Sequence, residues 1–176
     1  MLMNKRAQGF TLVELMVALA AGAFLLAGVS LSYSAIKSTV EVSKELENAQ
    51  EVIRYTSKVF SRSIKQTQLA PIISADKSTI TITQPSGVIA CDGSATTAQV
   101  IEVYSLNGSN LMCSLDGAAA ERLLTGIETL SFDIAGELVT VTVKPNDLPA
   151  QFGNGINIDI ALTNVILVKA YGAGSV

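Results

Sequence analysis

The 176-residue sequence contains no histidine and no tryptophan, and only 5% of its residues are aromatic. Without histidine, neither a Ser-His-Asp triad nor a Cys-His nucleophile can form. Two cysteines alone do not complete a tetrahedral zinc site, and the acidic residues show no calcium-loop spacing. A Walker-type glycine loop is also missing. We therefore predict a protein that is not an enzyme and that needs neither a metal nor another cofactor.

Proline is absent before Pro71, which allows one long helix from Phe10 to about Thr67. The alternative is two helices with a break near residues 30–34. In the second part, residues 37–67, apolar side chains recur at three-, four- and seven-residue steps. They are Val42, Leu46, Ala49, Ile53, Phe60 and Ile64. This amphipathic half needs a partner for its apolar stripe, and we expect the domain that follows to be that partner.

Charge is absent from residues 10–36 apart from one side chain, Glu14. A helix of about 20 apolar residues spans a bilayer, so this segment is predicted to be a transmembrane helix. An acid inside such a segment is costly and usually has a function. Thr11 and Glu14 also have the spacing of a capping box, which would satisfy backbone amides at the helix start. The two interpretations are compatible.

A polar leader, residues 1–9, precedes the apolar segment and carries Lys5 and Arg6. An ordinary secretory signal has its cleavage site after the apolar core. Here the plausible site, Gly9, lies before it, so cleavage would leave the apolar helix on the product. The two cations are expected to hold the leader in the cytoplasm, with everything after the helix on the opposite side.

The residues Gly9, Phe10, Thr11, Leu12 and Glu14 resemble the prepilin signature of type IV pilins and type II secretion pseudopilins. The resemblance implies that a membrane-embedded aspartyl protease, the prepilin peptidase, cuts after Gly9 and N-methylates Phe10. It also implies that the Glu14 carboxylate pairs with the amino terminus of a neighbouring subunit. The expected partners are other minor and major pilins, the peptidase and the inner-membrane assembly machinery. The expected location is the inner membrane, as a single-pass protein with a periplasmic C-terminal domain, and then the pilus at the cell surface.

About the first 65 residues are similar to minor pilins of the PilW type, through segments 12–19, 24–29, 49–55 and 61–64. Many major pilins carry a proline in the spanning helix, and this chain has none there. The resemblance implies a minor pilin that helps to initiate or prime pilus assembly, with the tip as a position that suits this role. Two alternatives stay open: a type II secretion pseudopilin of the J class, and a pilus-displayed subunit for adhesion or DNA uptake.

Residues 68–176 are predicted to form a β-rich head domain. Alternation and turn signals predict strands over 78–83, 98–105, 110–115, 130–134, 137–144 and 156–170. Asn107-Gly108 and Ala135-Gly136 mark two hairpin turns, and residues 118–124 are expected to form a short helical turn. The predicted fold class is α+β, a long N-terminal helix packed on an antiparallel sheet. The alternative is a helix followed by a separate β-sandwich.

The two cysteines, Cys91 and Cys113, both follow the apolar segment. In an oxidising compartment such a pair is expected to form one disulfide, here between a loop over 87–97 and a strand. Closing a loop of about 22 residues contributes roughly 3 kcal/mol in the loop-entropy account. Two free buried thiols and a metal site are the alternatives.

Charge is unevenly distributed after the apolar segment. Residues 68–176 contain four Lys and Arg against ten Asp and Glu, a net charge of −6. Such a domain repels polyanions, so nucleic-acid binding by the head alone is disfavoured. Four cations share one helical face, here called the basic strip: Arg54, Lys58, Arg62 and Lys65. We interpret the strip as a solvated face that suits the helix C-terminus; the alternative is a contact surface for DNA or an acidic neighbour.

Overall fold

The computed structural model describes residues 11–149 and 152–172. The chain divides into two compact units, Met1–Ser43 and Lys44–Val176. One continuous helix of 55 residues, α1 (Leu12–Gln66), runs through both. The prediction of a single helix is therefore confirmed, and the alternative with a break near residues 30–34 is wrong. Phe10, at which the predicted helix begins, lies outside the described residues.

In the first unit, α1 exposes its apolar side chains, including Phe24 at 81% and Leu12 at 75%. An 18-residue stretch of this helix has a mean hydropathy of 2.3, and none of that stretch is buried. By length and composition, α1 is able to cross a membrane. Side chains of this kind need either lipid or other apolar helices around them. The segment thus has the properties of a single-pass membrane anchor.

The described residues of the second unit, 44–149 and 152–172, contain the remaining part of α1, eight strands and a short helix. Five strands form one antiparallel sheet in chain order: β1 (Ile72–Ile73), β2 (Ile80–Gln84), β3 (Val100–Asn107), β4 (Asn110–Leu115) and β5 (Glu121–Thr125). Three strands form the other: β6 (Ile127–Ala135), β7 (Leu138–Pro145) and β8 (Ile156–Ala161). The helix α2 (Thr163–Tyr171) follows β8. The predicted α+β class is confirmed, with the strands divided between two sheets.

Both predicted hairpins are present. Asn107 pairs with Asn110 across the first turn, and Ala135 pairs with Leu138 across the second. Between the two sheets lies Gly126, which has φ +99°, a backbone conformation that glycine adopts without strain. A Cβ at this position would lie 3.4 Å from Val52 of α1. The glycine therefore allows the chain to leave one sheet and enter the other close to the helix.

Two of the predicted elements are wrong. The helical turn predicted over 118–124 is largely strand β5, which pairs antiparallel with β4. Asp116 and Gly117 both have positive φ and reverse the chain after β4, so the next residues return along its edge. The strand predicted over 156–170 ends at Ala161, because Ala161 already pairs with the first residue of β7. The apolar run that follows forms α2, since no further β7 residues remain to pair with it.

A single core joins α1 to both sheets. The Phe60 ring lies 5.0 Å from the ring of Tyr104 on β3 and 5.3 Å from that of Phe132 on β6, measured between centroids. All three side chains are fully buried, in tilted or edge-on arrangements that favour aromatic contacts. The helix and the strands therefore share one hydrophobic interior, and the alternative of a separate β-sandwich is wrong.

The predicted apolar stripe of α1 is partly confirmed. Ala49, Phe60 and Ile64 are buried, and Leu46 and Ile53 are half-buried, but Val42 is 54% exposed. The buried face also contains residues that the stripe missed, namely Val52, Thr56, Val59 and Ser63. The apolar period predicted which side of α1 is buried. Which residues are buried on that side depends on the side chains that the sheets cover.

The C-terminal end of α1 is held by side chains of the head. Asn164 of α2 donates from Nδ2 to the Gln66 carbonyl at 3.2 Å. The Thr67 hydroxyl donates to the Thr83 carbonyl of β2 at 2.7 Å. Because the last carbonyls of a helix lack partners within it, the Asn164 contact stabilises the end of α1, and the Thr67 contact links the residue after the helix to β2.

Shortening a buried aliphatic side chain of α1 is expected to destabilise the head. Ile64 is fully buried, and Ile64→Ala should lower the free energy of unfolding by about 2–5 kcal/mol, because it removes apolar contacts and leaves a cavity. Denaturant unfolding of the full chain in detergent, followed by near-UV circular dichroism, measures this loss. Ile101→Ala is the matched control, since that side chain is 44% exposed and should lose much less. Equal losses for the two variants would contradict the packing described.

Candidate functional site

Glu14 lies in the first turn of α1. Its backbone amide donates to the Thr11 hydroxyl at 3.3 Å, and the Leu15 amide donates to the Thr11 carbonyl at 3.2 Å. Thr11 thus acts as the N-cap that the capping-box spacing predicted. This arrangement determines where the helix begins and places the carboxylate near its positive end.

The Glu14 side chain is exposed, and its neighbours on the helix are apolar and exposed as well. Leu12, Val13, Leu15 and Met16 are between 55% and 75% accessible. Among residues 11–149 and 152–172, no Lys or Arg forms an ion pair with this carboxylate. An unpaired carboxylate in apolar surroundings is strongly disfavoured. Within the described part of the chain, this carboxylate is therefore open to pairing with a cation.

Four other predicted site residues, Lys5, Arg6, Gly9 and Phe10, lie outside the described residues. Their assigned roles as leader cations, cleavage site and methylated residue therefore rest on sequence. Glu14, the predicted assembly carboxylate, is the member of this set whose surroundings are described.

The predicted disulfide between Cys91 and Cys113 is present, with the two Cα atoms 6.5 Å apart. It ties the loop over residues 87–97 to strand β4. Both alternatives, two free thiols and a metal site on them, are therefore wrong. The same loop is held from the other side by Arg62, whose guanidinium donates from Nη2 to the Ala90 carbonyl at 3.3 Å.

A buried polar cluster between α1 and the first sheet was not predicted. The Glu102 carboxylate of β3 is 1% exposed, and one of its oxygens accepts hydrogen bonds from three donors. These are the Ser63 hydroxyl of α1, Nε2 of Gln84 on β2 at 2.8 Å and the Tyr104 hydroxyl at 3.1 Å. Because a buried carboxylate is costly unless hydrogen-bonded, this cluster specifies how the helix sits on the sheet.

The surroundings keep the Tyr104 hydroxyl protonated as a donor. Burial is the largest cause that raises the pKa of Tyr104 far above its usual value, and the negative charge of Glu102 raises it further. One signal in the sequence pointed towards this cluster. In Val100-Ile101-Glu102-Val103-Tyr104, the acid occupies the same face of the strand as the tyrosine.

The four cations of the basic strip differ in their contacts. Arg54 is held by Glu51, with nitrogen–oxygen distances of 2.8 and 3.1 Å. Arg62 is half-buried beside the disulfide-tethered loop, whereas Lys58 and Lys65 are exposed and form no ion pair within the described residues. The interpretation as a uniformly solvated face therefore applies to Lys58 and Lys65, and not to Arg62.

Residues 4–30 match the family described as the prokaryotic N-terminal methylation motif. The match includes Gly9, Phe10 and Glu14 and ends within the apolar segment. The chain thus carries the prepilin leader of type IV pilins and pseudopilins. Proteins with this leader are generally structural, and they associate with other pilins and with pilus machinery. No curated protein matches the chain.

Removing the buried carboxylate is expected to weaken the attachment of α1 to the first sheet. Glu102→Ala leaves the Ser63 and Tyr104 hydroxyls without this acceptor, at about 1–3 kcal/mol each if they stay unpaired, whereas Nε2 of Gln84 still donates to the Ser63 carbonyl at 2.9 Å. We expect a net loss on the order of 3 kcal/mol in unfolding free energy, and a smaller loss for Glu102→Gln, which keeps an acceptor oxygen. Denaturant unfolding measures both variants. Glu121→Ala, an exposed acid on β5, is the control, and an equal loss there would contradict a specific role for the cluster.

Proposed function

We propose that this chain, which carries the prepilin methylation motif, is a minor pilin of a type IV pilus that helps to initiate or prime filament assembly. The observation that supports this most directly is the exposed Glu14 carboxylate on an exposed apolar helix, four residues after the proposed new N-terminus. Such a helix is stable in lipid or among other apolar helices, and in the described residues the carboxylate has no cationic partner. In this proposal its role is structural, and it is not an enzyme.

The proposed processing produces the positive amine that pairs with Glu14. Cleavage after Gly9 removes the leader, with Lys5 and Arg6, and exposes the amino group of Phe10. The peptidase then N-methylates that group, and a methylated amine still carries a positive charge. Glu14 of one subunit pairs with the Phe10 amine of its neighbour, and because the pairing occurs in apolar surroundings the attraction is strong. This pairing sets the axial position at which a new subunit joins.

In this mechanism, the membrane retains the subunit because its helix is apolar. Residues 10–36 anchor the subunit in the inner membrane, residues 37–67 form the amphipathic half of the helix, and residues 68–176 form a periplasmic head. A subunit leaves the bilayer only when its apolar helix gains another apolar environment. Packing against the helices of other minor and major pilins supplies that environment.

A minor role is supported by two features. The first 65 residues resemble PilW-type minor pilins, and α1 continues without a break through its apolar segment, as its lack of proline allows. A J-class pseudopilin of a type II secretion system carries the same signature. Deletion of the gene separates the two functions, since loss of pili supports the pilin and loss of protein secretion supports the pseudopilin.

Changing the cleavage site is expected to block maturation. Gly9→Asp should leave the leader attached, because the resemblance assigns the cut to the bond after this glycine. Mass spectrometry of the protein from membranes reads the N-terminus directly: wild type should begin with N-methylated Phe10, and the variant with Met1. A variant that is shortened normally would contradict the assigned site.

Changing the assembly carboxylate is expected to leave processing intact while weakening assembly. Glu14→Ala and Glu14→Gln should reduce pilus number and co-purification with partner pilins at least tenfold, which corresponds to about 1.4 kcal/mol. Glu41→Gln is the matched control, because Glu41 lies on the same helix and already faces Lys37 at 3.8 Å. Unchanged pili and unchanged co-purification in the Glu14 variants would overturn the proposed function.

A further inference from the structure

Three side chains of the buried polar cluster bring together groups that can react with one another. Ser63 of α1 supplies a hydroxyl, Gln84 of β2 a carboxamide and Glu102 of β3 a carboxylate. Each of these residues is at most 1% exposed, so bulk water does not reach them. We call them the buried trio. A nucleophile, an acyl group and a base therefore lie side by side in the interior of the head.

The Glu102 carboxylate is placed to activate the Ser63 hydroxyl. The hydroxyl donates to Oε2 of Glu102, and within the described residues no lysine or arginine forms an ion pair with this carboxylate. A general base must lie within hydrogen-bond reach of the proton that it removes. Glu102 meets this requirement, and removal of the proton makes Ser63 Oγ a nucleophile.

The carboxamide of Gln84 is the acyl group next to this nucleophile. Its Nε2 lies 2.7 Å from Ser63 Oγ, 2.9 Å from the Ser63 carbonyl oxygen and 2.8 Å from Oε2 of Glu102. Carbonyl and carboxylate oxygens only accept hydrogen bonds, so the amide nitrogen, and not Oε1, is the atom that faces them. An amide C–N bond is about 1.33 Å long, so Cδ lies no more than about 4 Å from Oγ. A movement of about 1 Å or less brings the two atoms to the near-attack distance of about 3–3.5 Å.

We propose that Ser63 and Gln84 form an intramolecular ester, a covalent link between α1 and β2, with Glu102 as the catalytic residue. Glu102 takes the hydroxyl proton as Ser63 Oγ bonds to Cδ of Gln84. The Cδ–Nε2 bond then breaks, and Glu102 returns the proton to the departing nitrogen. The products are the ester and one molecule of ammonia, and Glu102 is a carboxylate again. The step exchanges an acyl group between two side chains, so no oxidant or reductant is consumed.

The surroundings of the buried trio determine how fast this step is and which way it runs. Oε1 of Gln84, on which negative charge develops, has no hydrogen-bond donor within the described residues. Because a missing oxyanion donor costs about 10²–10³ in rate, we expect a slow self-modification that occurs once per chain. Burial keeps out the water that would hydrolyse the ester. Ammonia that leaves the interior is protonated and diluted, which favours the linked product.

The ester changes how α1 is attached to the head. The hydrogen bonds of the buried trio break when the head unfolds, whereas an ester keeps Ser63 and Gln84 joined in every state of the chain. These residues are 21 positions apart, close to the separation of 22 that the Cys91–Cys113 disulfide spans. In the loop-entropy account, both links stabilise the head by restricting the unfolded chain. The inference is independent of the proposed function, since it concerns chemistry within one head.

Mass spectrometry of the full-length protein, purified from membranes in detergent, tests the proposal. Wild type should be lighter than the mass calculated for its sequence by about 17 Da, the mass of ammonia, at once or after several days at neutral pH. Trypsin, which cuts after lysine and arginine, should release residues 63–65 joined to residues 78–122. Hydroxylamine, which cleaves esters, should separate the two peptides. Ser63→Ala should abolish the mass loss, and Glu102→Gln should slow it at least about a hundredfold.

Thr56→Val is the matched control for these variants. It removes a fully buried hydroxyl of α1 that lies outside the buried trio and has no hydrogen-bond partner within the described residues, so the mass loss should be unchanged. Protease resistance of the head, together with an intact disulfide on a non-reducing gel, shows that each variant is folded.

Three results would overturn the inference. One is a folded wild type that keeps its full calculated mass after the incubation. Another is a mass loss that Ser63→Ala or Glu102→Gln leaves at the wild-type rate. The third is a mass loss without joined peptides, because a succinimide at an Asn-Gly pair such as Asn107-Gly108 also releases ammonia. A chain that lacks the ester and still forms pili would leave the proposed function intact.

Discussion

The apolar side chains of α1 must be removed from water in two different ways, and the rest of the structure depends on this requirement. From Ala49 to Ile64 the helix buries one face against two sheets, with Phe60 in contact with an aromatic ring from each. Before Ser43 the helix has no such cover within the described residues, and its apolar side chains are exposed on all faces. The first part therefore needs lipid or neighbouring helices, whereas the second part is covered by its own chain.

Hydrophobic burial alone allows α1 to pack on the sheets in more than one position, and polar contacts select one of them. The Glu102 cluster connects α1, β2 and β3 through hydrogen bonds that form only in one register of the helix on the sheet. The disulfide and Arg62 hold the loop over residues 87–97 from two sides. The helix and this loop are thus fixed relative to the sheets, so their charged groups lie at defined positions.

Charge acts differently at Glu14 and along the basic strip. The side chains next to Glu14 are apolar, so in lipid or among apolar helices an opposite charge would have a large effect there and salt would screen it little. On the basic strip Lys58 and Lys65 are exposed, so an ion pair with either would contribute modestly and would be weakened by salt.

The sequence by itself determined the features that depend on neighbouring residues. The absence of proline and the apolar period predicted α1, the Asn-Gly turn predicted a hairpin, and the residues around Gly9 and Glu14 identified the leader. Only the tertiary structure decided the strand β5, the helix α2 and the Glu102 cluster. It also decided which cations of the basic strip are already neutralised. The physical reason is that these features depend on partners distant in sequence: Ser63 meets Glu102 across 39 residues, and Asn164 meets Gln66 across 98. Patterns among neighbouring residues do not predict such contacts.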